Sequence, residues 1–443
     1  MRLDGWVARV YAPSEAAVSA APPVSFSPPP PGRRGGRLRA ATALAVALVL
    51  WLGTQTPAGL ALSDAQQLVV ETWRLVNQSY VDPAQFERIR WRRLRQRALE
   101  QPISSSDDAY RAIEGMLSPL GDPYTRLLRP RDYAALQSTN QGTVNGVGLQ
   151  LAARESDQAV VVIAPLDESP AAEAQIQSGS EVLSVNRVPT SELGLDGTAA
   201  ALRGPSGTSV LVSLRDGAHE PRELELERRQ VDLHPVRSKR LRVDGHTLGY
   251  LRITQFAEPV PEQVSEALRD LQDQAIEGLI LDLRNNTGGL VSAGVAVADA
   301  LLDNRPIVVT EERDGLVSPQ QSGPGQLFDG PMVTLVNSGT ASASEILAGA
   351  LQDNGRSRLA GGRTFGKGLI QTLIPLSDSS GLAVTVARYL TPSGRDIQNE
   401  GIEPDLTLGE PEPLNPGGDG DTWLEQAGKL LAGELPGQGD SES

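Results

Sequence analysis

The chain has no cysteine and only three histidines among its 443 residues. The lack of cysteine excludes disulfide bonds, thiol catalysis and metal sites built from thiolates. So few histidines also disfavour a histidine-based zinc site, and the net charge of −15 disfavours nucleic-acid binding. The composition therefore predicts a protein that uses no metal, no cofactor and no nucleic acid.

Lysine is scarce as well, since the sequence holds three lysines against 37 arginines. One of them, Lys367, lies between two glycines in the glycine-rich turn 361–368. Arginine stays protonated in proteins, whereas a lysine withdrawn from water can lose its proton and act as a base. Lys367 is therefore a candidate general base, and the alternative is an ordinary surface charge in contact with solvent.

A candidate nucleophile lies 25 residues upstream, in a predicted strand, turn and helix. Residues 332–336 predict a buried strand, and 341–351 predict a helix because their apolar residues recur at a helical period. Ser342 lies at the helix start, where the first backbone N–H groups lack partners and can stabilise negative charge. The alternative is structural, since Ser342 and Glu345 have the spacing of a capping box.

Several motifs around these residues follow one another in a defined order. They are Ser-Ala-Ser-Glu-Ile at 342–346, Gln-Asp-Asn-Gly-Arg at 352–356 and Thr-Phe-Gly-Lys-Gly at 364–368, followed by Gln371. The set resembles the carboxyl-terminal processing peptidases, endoproteases with a Ser/Lys dyad and a PDZ domain. The resemblance implies Ser342 as the nucleophile, Lys367 as the general base and Gln371 as the side chain that orients the lysine. In an extended strand Lys367 and Gln371 would point to the same side.

The same resemblance implies an oxyanion hole made of two backbone N–H groups. One belongs to Ala343, and the other to Gly288 in the turn after the predicted strand 278–283. The sequence leaves Gly289 open as the alternative to Gly288.

Three charged residues are expected to support the site rather than to carry out the chemistry. Glu345 either caps the helix or tunes the electrostatic field of the site. Asp353 is expected to orient residues 364–368. Arg284 is expected to pair with acids near the site or with the PDZ domain.

A peptide-binding module is predicted upstream of the peptidase motifs. Its glycine loop, Gly146-Val147-Gly148-Leu149, precedes short predicted strands and resembles the loop of a PDZ domain. Such loops bind a chain terminus through successive backbone N–H groups, while the peptide adds a strand to the sheet edge. The alternative is an ordinary glycine turn in a small β domain. The sequence departs from the family at Gly179-Ser180 and Asn186-Arg187, which puts fine substrate preference in doubt.

The predicted fold class is α+β multidomain, with a core that by resemblance is crotonase/ClpP-like. The predicted parts are a disordered leader plus signal peptide (1–61), an N-terminal helical region (62–140), a PDZ domain (141–231), a serine peptidase core (232–410) and a C-terminal tail (411–443). The helical region ends in Leu-Gly-Asp-Pro-Tyr-Thr at 120–125, which resembles a family signature. Residues 62–99 resemble the cyanobacterial and chloroplast branch.

The leader predicts export. Four arginines between Arg33 and Arg39 precede an apolar run, 40–52, which has the length of a signal-peptide core. A small-x-small pattern at 59–61 is typical of a cleavage site, and an uncleaved membrane anchor is the alternative.

The predicted function is a serine endopeptidase that cleaves near the C-terminus of exported proteins, in the thylakoid lumen or periplasm. Its partners would be substrate C-termini, including those of membrane-associated substrates, and by resemblance the precursor of the photosystem II reaction-centre protein. Three alternatives remain: a general periplasmic quality-control protease, a catalytically silent PDZ scaffold, and a crotonase-type acyl-CoA enzyme. The leader argues against the last.

Overall fold

The structure is a computed structural model that describes residues 62–435, except for 155, 156, 158, 167, 178, 218, 410, 411 and 413–415. The predicted leader, 1–61, lies outside the described residues. Mixed helix and sheet content, with helices first and a β module second, confirms the predicted α+β multidomain class.

The described part of the chain begins with four helices, in the region predicted to be helical. They are α1 (Asp64–Ser79), α2 (Pro83–Arg88), α3 (Trp91–Glu100) and α4 (Ser106–Leu117), followed by a 3₁₀ turn at Ser118–Leu120. Ser63 and Ser105 cap α1 and α4 in reciprocal capping boxes. Their apolar faces form one cluster around the buried Trp91.

Two elements that were not predicted from the sequence then join this region to the rest of the chain. Strand β1 (Arg126–Leu128) pairs antiparallel with a strand of the C-terminal half, and α5 (Pro130–Asn140) follows it. The strand has only three residues, too few for a period to be read from the sequence.

The β module forms a separate sheet. It begins after β2 (Thr143–Gly146) and comprises β3 (Leu149–Ala153), β4 (Val160–Pro165), the short helix α6 (Pro170–Glu173), β5 (Glu181–Val185), β6 (Val188–Pro189), α7 (Thr190–Leu202), β7 (Ser209–Arg215) and β8 (Arg222–Glu227). The sheet order is β3-β4-β5-β7-β8, with β6 beside β5. Strand β9 (Arg229–Asp232) pairs with β2, so the entering and leaving chains form a two-stranded ribbon.

The third part is built on a six-stranded sheet. Its elements are β10 (Val236–Val243), β11 (His246–Ile253), α8 (Val260–Asp273), β12 (Gly278–Asp282), α9 (Val291–Leu301), β13 (Pro306–Glu312), β14 (Val317–Gln321), β15 (Met332–Val336), α10 (Ala343–Asp353), β16 (Arg358–Gly361), β17 (Leu369–Pro375), β18 (Gly381–Leu390), β19 (Leu406–Thr407) and α11 (Thr422–Ala432). The order of this sheet is β10-β11-β12-β15-β16-β19, parallel from β11 onward. Every residue of β12 and β15 is buried, which explains their continuous apolar sequences.

A second, antiparallel sheet packs the N-terminal region onto this core. Its order is β1-β18-β13-β14, with β17 also paired to β18. Leu376, which follows β17, and Leu382 and Val384 of β18 belong to the apolar cluster of the N-terminal helices. The helical region is therefore part of the folded core and not a detachable arm.

The parallel order brings three loops to one edge of the sheet. Strands β12, β15 and β16 are adjacent and parallel, so their carboxyl ends lie side by side. The loops after them are 283–290, 337–342 and 362–368, which contain Gly288, Ser342 and Lys367, and Ala343 follows directly as the first residue of α10. Ligand sites of open α/β sheets commonly lie at such an edge.

Helix α11 lies in the segment predicted as a C-terminal tail and packs its apolar face against the core sheet. Neither it nor any other helix within the described ranges combines the length and apolar character that crossing a bilayer requires.

Candidate active site

Ser342 occupies a backbone conformation that is unusual for a residue with a side chain. Its φ of 59° and ψ of −118° lie where glycine is favoured, immediately before the first residue of α10. The side chain is nearly buried, with 7% of the residue exposed. Strain of this kind is retained in functional turns when the surroundings hold the backbone in place.

The carboxylate of Glu345 holds that backbone. It is fully buried and accepts a hydrogen bond from the Ser342 N–H at 2.9 Å. It also accepts from the Thr364 hydroxyl at 2.6 Å and from the N–H groups of Gly366 and Lys367 at 2.8 and 2.9 Å. Glu345 therefore both caps α10 and joins the serine turn to the lysine turn.

Tyr389 on β18 forms a second link between the two turns. Its hydroxyl lies 3.1 Å from the carbonyl oxygen of Ser342 and 2.6 Å from that of Lys367, so it can donate to either. Burial, together with the charge of Glu345, raises its pKa well above the ordinary value, so the hydroxyl keeps its proton. Tyr389 was not among the site residues predicted from the sequence.

Lys367 lies in an environment that favours the neutral amine. Burial lowers the pKa of its ammonium group below the ordinary value, and the positive charge of Arg126 lowers it further. Asp122 and Glu345 act in the opposite direction. The Lys367 nitrogen lies 4.8 Å from the centre of the Tyr124 ring, within cation–π range.

The groups around Lys367 come from the N-terminal region. Asp122 accepts hydrogen bonds from the Tyr124 N–H at 2.9 Å and the Thr125 hydroxyl at 2.7 Å, which fixes the turn 122–125. The Thr125 oxygen in turn accepts from the N–H of Thr385 on β18 at 3.0 Å. This turn was noted in the sequence as a signature, and the structure gives it a place beside the lysine.

Ser342 and Lys367 line the same cavity, which has a volume of about 670 Å³. Arg126, Gly288, Gly289 and Gln371 also line it. No hydrogen bond joins the serine and lysine side chains in this conformation. The two predicted members of the dyad are thus brought to one cavity from turns 25 residues apart.

Gln371 lines the cavity together with Lys367, but no hydrogen bond joins the two side chains in this conformation. Its amide donates to the Thr385 hydroxyl at 3.4 Å. A register shift between Ile370 and Gln371 interrupts the pairing of β17 with β18. The role of Gln371 in orienting the lysine therefore stays a prediction.

The turn 286–289 lies against the serine. A Cβ atom added at Gly288, whose φ is 99°, would lie 2.9 Å from Ser342 Cβ and 3.1 Å from the Ala343 nitrogen. The Gly288 N–H donates to Asn286 Oδ1 at 2.9 Å, so it is engaged in this conformation. The Ala343 N–H has no acceptor among the described residues.

One of the three supporting residues, Asp353, has other contacts than expected. Asp353 accepts from the Ser393 N–H at 2.9 Å and pairs with Arg395, so it holds the turn after β18 and not residues 364–368. Arg284 pairs with acids, one of the two expectations, and not with the β module. Its fully buried guanidinium bonds both oxygens of Asp282 and both oxygens of Asp421, the N-cap residue of α11.

The charge state of this buried cluster follows from its contacts. Burial alone would lower the pKa of the Arg284 guanidinium, but the hydrogen bonds from it to Asp421 and Asp282 raise the pKa above the ordinary value. Burial would raise the pKa of Asp421, but the bonds from Arg284 and two backbone N–H groups lower it. The cluster is therefore an ion pair that fastens α11 beside the loop 283–290.

The predicted glycine loop lies in a separate groove of about 530 Å³ on the β module. Gly146, Val147, Gly148 and Leu149 all line it, opposite Leu195 and Ala199 of α7. Gly148 has a φ of 75°, and a Cβ there would lie 2.2 Å from Ser169 Cβ, so only glycine fits. The Val147 and Gly148 N–H groups have no acceptor among the described residues.

Comparison with known proteins agrees with this architecture. Residues 247–408 match the model of peptidase family S41, and residues 136–215 match that of the PDZ domain. A carboxyl-terminal-processing protease of Synechocystis sp. is 44% identical over 85% of this chain and 89% of the relative. A chloroplastic C-terminal processing peptidase of Tetradesmus obliquus is 40% identical over 80% of this chain and 79% of the relative.

The fold of the chain is also similar to that of a solved structure. The photosystem II D1 C-terminal processing protease superposes with a TM-score of 0.57 at 37% identity, covering 84% of this chain and 98% of that one. The fold and the site thus define a serine protease of family S41 that carries a PDZ domain. Within that class, the chain belongs to the carboxyl-terminal-processing protease family.

Proposed function

We propose that the chain hydrolyses peptide bonds near the C-termini of exported proteins, with Ser342 as nucleophile and Lys367 as general base. The observation that carries this proposal is the shared cavity, into which a partly buried lysine with a lowered pKa and a serine at a helix start both project. A lysine can accept a proton near neutral pH only when its surroundings disfavour the ammonium form.

The reaction would proceed in two stages. Neutral Lys367 takes the proton from the Ser342 hydroxyl as the oxygen attacks the substrate carbonyl carbon, and it passes that proton to the leaving amine when the C–N bond breaks. Water then gives a proton to Lys367, attacks the ester and releases the new carboxyl end, with the proton returning to Ser342. Both tetrahedral intermediates carry a negative oxygen.

That oxygen would be held by the Ala343 N–H and one glycine N–H of the turn 286–289. For Gly288 to serve, its N–H must leave Asn286 Oδ1. Gly289 remains the alternative donor. Gln371 would act on Lys367 only after the side chain leaves Thr385, since it bonds that residue here.

The substrate tail would be held in the groove of the β module. The N–H groups of Val147 and Gly148, which have no acceptor among the described residues, suit a terminal carboxylate, and the apolar groove beside them suits an apolar last residue. The predicted leader supports an exported enzyme in the thylakoid lumen or the periplasm, and one of the relatives named above is chloroplastic. The precursor of the photosystem II reaction-centre protein is the first substrate to test, because the solved relative carries that name.

The test is to incubate the enzyme with a panel of C-terminal peptides, including that precursor tail, and to identify products by mass spectrometry. Ser342→Ala should give no product while binding the same peptides. Labelling of the wild-type serine by a fluorophosphonate would identify the nucleophile directly. If no peptide is cut and Ser342 is not labelled at any pH, the chain is a silent PDZ scaffold and the proposal fails.

A further inference from the structure

A third groove adjoins the catalytic cavity, with which it shares two lining residues. It has a volume of about 540 Å³ and lies between α9 and the hairpin of β13 and β14. We call it the α9 groove; its walls are Val295, Ala296, Asp299, Ile307, Gln320 and Gln321. Val291 and Ser292, at the start of α9, line both this groove and the catalytic cavity.

The peptide groove of the β module meets the catalytic cavity elsewhere. Thr139 and Gln255 line both of those spaces, and the Gln255 amide donates to the Thr139 carbonyl at 3.3 Å. Within the described part of the chain, no residue lines both the peptide groove and the α9 groove. The catalytic cavity therefore has two separate extensions.

The direction of the substrate chain indicates which part of the substrate each extension would hold. This step rests on the proposed function. A polypeptide whose free C-terminus lies in the β module runs from the scissile bond toward Thr139 and Gln255. The segment before the scissile bond must then leave the cavity elsewhere, and the shared residues Val291 and Ser292 mark such an exit.

The lining of the α9 groove suits an extended uncharged segment. Val295 and Ala296 are half-buried, so they offer apolar surface that remains accessible. A register shift between Pro306 and Val308 marks a bulge at Ile307, and bulges redirect side chains beside functional sites. The glutamines of β14 can bond peptide groups, while the Asp299 carboxylate, which accepts the Gly323 N–H at 2.7 Å, disfavours acidic residues.

We propose that the α9 groove is the binding site for the substrate segment immediately upstream of the scissile bond, and that it selects aliphatic over acidic side chains there. Burial of one aliphatic side chain contributes on the order of 1.5 kcal/mol, which is about tenfold in affinity.

The test uses two exposed residues of β14 as a matched pair. Gln320→Trp places a bulky ring in the groove, whereas Val317→Trp places it on the same strand outside the groove. Each is made in the Ser342→Ala background. Affinity is measured by fluorescence anisotropy for peptides that share one apolar tail and are lengthened upstream by Ala-Val, Ser-Gly or Ala-Asp repeats.

The Ala-Val extension should tighten binding about tenfold, and the other two should not. Gln320→Trp should abolish this gain, and Val317→Trp should retain it. Equal affinity for all three extensions, or equal losses in the two tryptophan variants, would overturn the proposal. Because affinity is measured without turnover, the pattern can be present even if the active enzyme cuts no peptide, which would refute only the hydrolase assignment.

Discussion

The two members of the proposed dyad are held by different parts of the chain. Ser342 is fixed within the parallel core by Glu345 and Tyr389, through bonds to its own backbone. Lys367 shares those backbone links, but the ring beside its side chain and two of the three charges that act on it come from residues 122–126, more than 200 positions upstream. The core therefore sets the geometry of the nucleophile, whereas the N-terminal region tunes the proton affinity of the base.

The largest effect is expected when the base can no longer lose its proton. Lys367→Arg should lower kcat/KM by about 10³-fold or more, because arginine stays protonated and cannot accept the serine proton. The thermal unfolding midpoint should change little, since the side chain lines a cavity. An active Lys367→Arg enzyme would refute the dyad.

Breaking the link between the two turns should cost stability as well as activity. Glu345→Gln replaces one acceptor oxygen by a donor, which leaves buried N–H groups of the lysine turn without a partner. We expect a loss of about 3 kcal/mol in the free energy of unfolding, measured by urea denaturation. Glu403→Gln, an exposed glutamate paired with Arg363 at the surface, is the control and should change it by less than about 1 kcal/mol.

The strain at Ser342 predicts a difference between two inactive variants. Ser342→Gly should be about 1 kcal/mol more stable than Ser342→Ala, because relief of about 1–3 kcal/mol of backbone strain exceeds the entropy cost of glycine. Both should lack activity, so the comparison isolates the backbone. If alanine is the more stable of the two, the serine turn is not strained.

The smallest expected effect is a shift in the pH dependence of activity, which tests only the surroundings of Lys367. Activity should rise with pH as Lys367 becomes neutral, and the midpoint of log kcat/KM follows its pKa. Asp122 raises that pKa and Arg126 lowers it. Asp122→Asn should therefore move the midpoint to lower pH and Arg126→Gln to higher pH, each by about one unit or less.

The opposite shifts expected for Asp122→Asn and Arg126→Gln are the control for this experiment. Shifts of the same sign in both variants would indicate a general disturbance of the turn and would contradict an electrostatic role. Unchanged profiles in both would show that the N-terminal region does not tune the base.

The parts of the site that follow from local sequence were predictable. Ser342 and Glu345 lie three residues apart, and Lys367 lies between glycines, so each could be found from a short motif. Strands such as β12 and β15 were predictable because continuous burial requires continuous apolar sequence.

The long-range contacts were not predictable in this way. Tyr124 is brought to the lysine turn by the pairing of β1 with β18, and a three-residue strand leaves no periodic signal. Tyr389 reaches that turn from β18 itself, 22 residues after Lys367 in the sequence. The bond of Gln371 to Thr385 lies beside a bulge, which a period-two pattern does not reveal. Asp353 and Arg284 were placed near the right elements, but their partners lie on turns that no local rule specifies.

The buried ion cluster of Arg284 has a consequence for damaged copies of the protein. A molecule clipped anywhere before Asp421 would keep a cation and its remaining aspartate beneath the catalytic edge, with one of two counterions gone. Removing one partner from a buried ion cluster costs about 3–5 kcal/mol, so loss of Asp421 should destabilise the adjoining loop 283–290. A cut in the chain before α11 should therefore weaken the turn that positions Gly288.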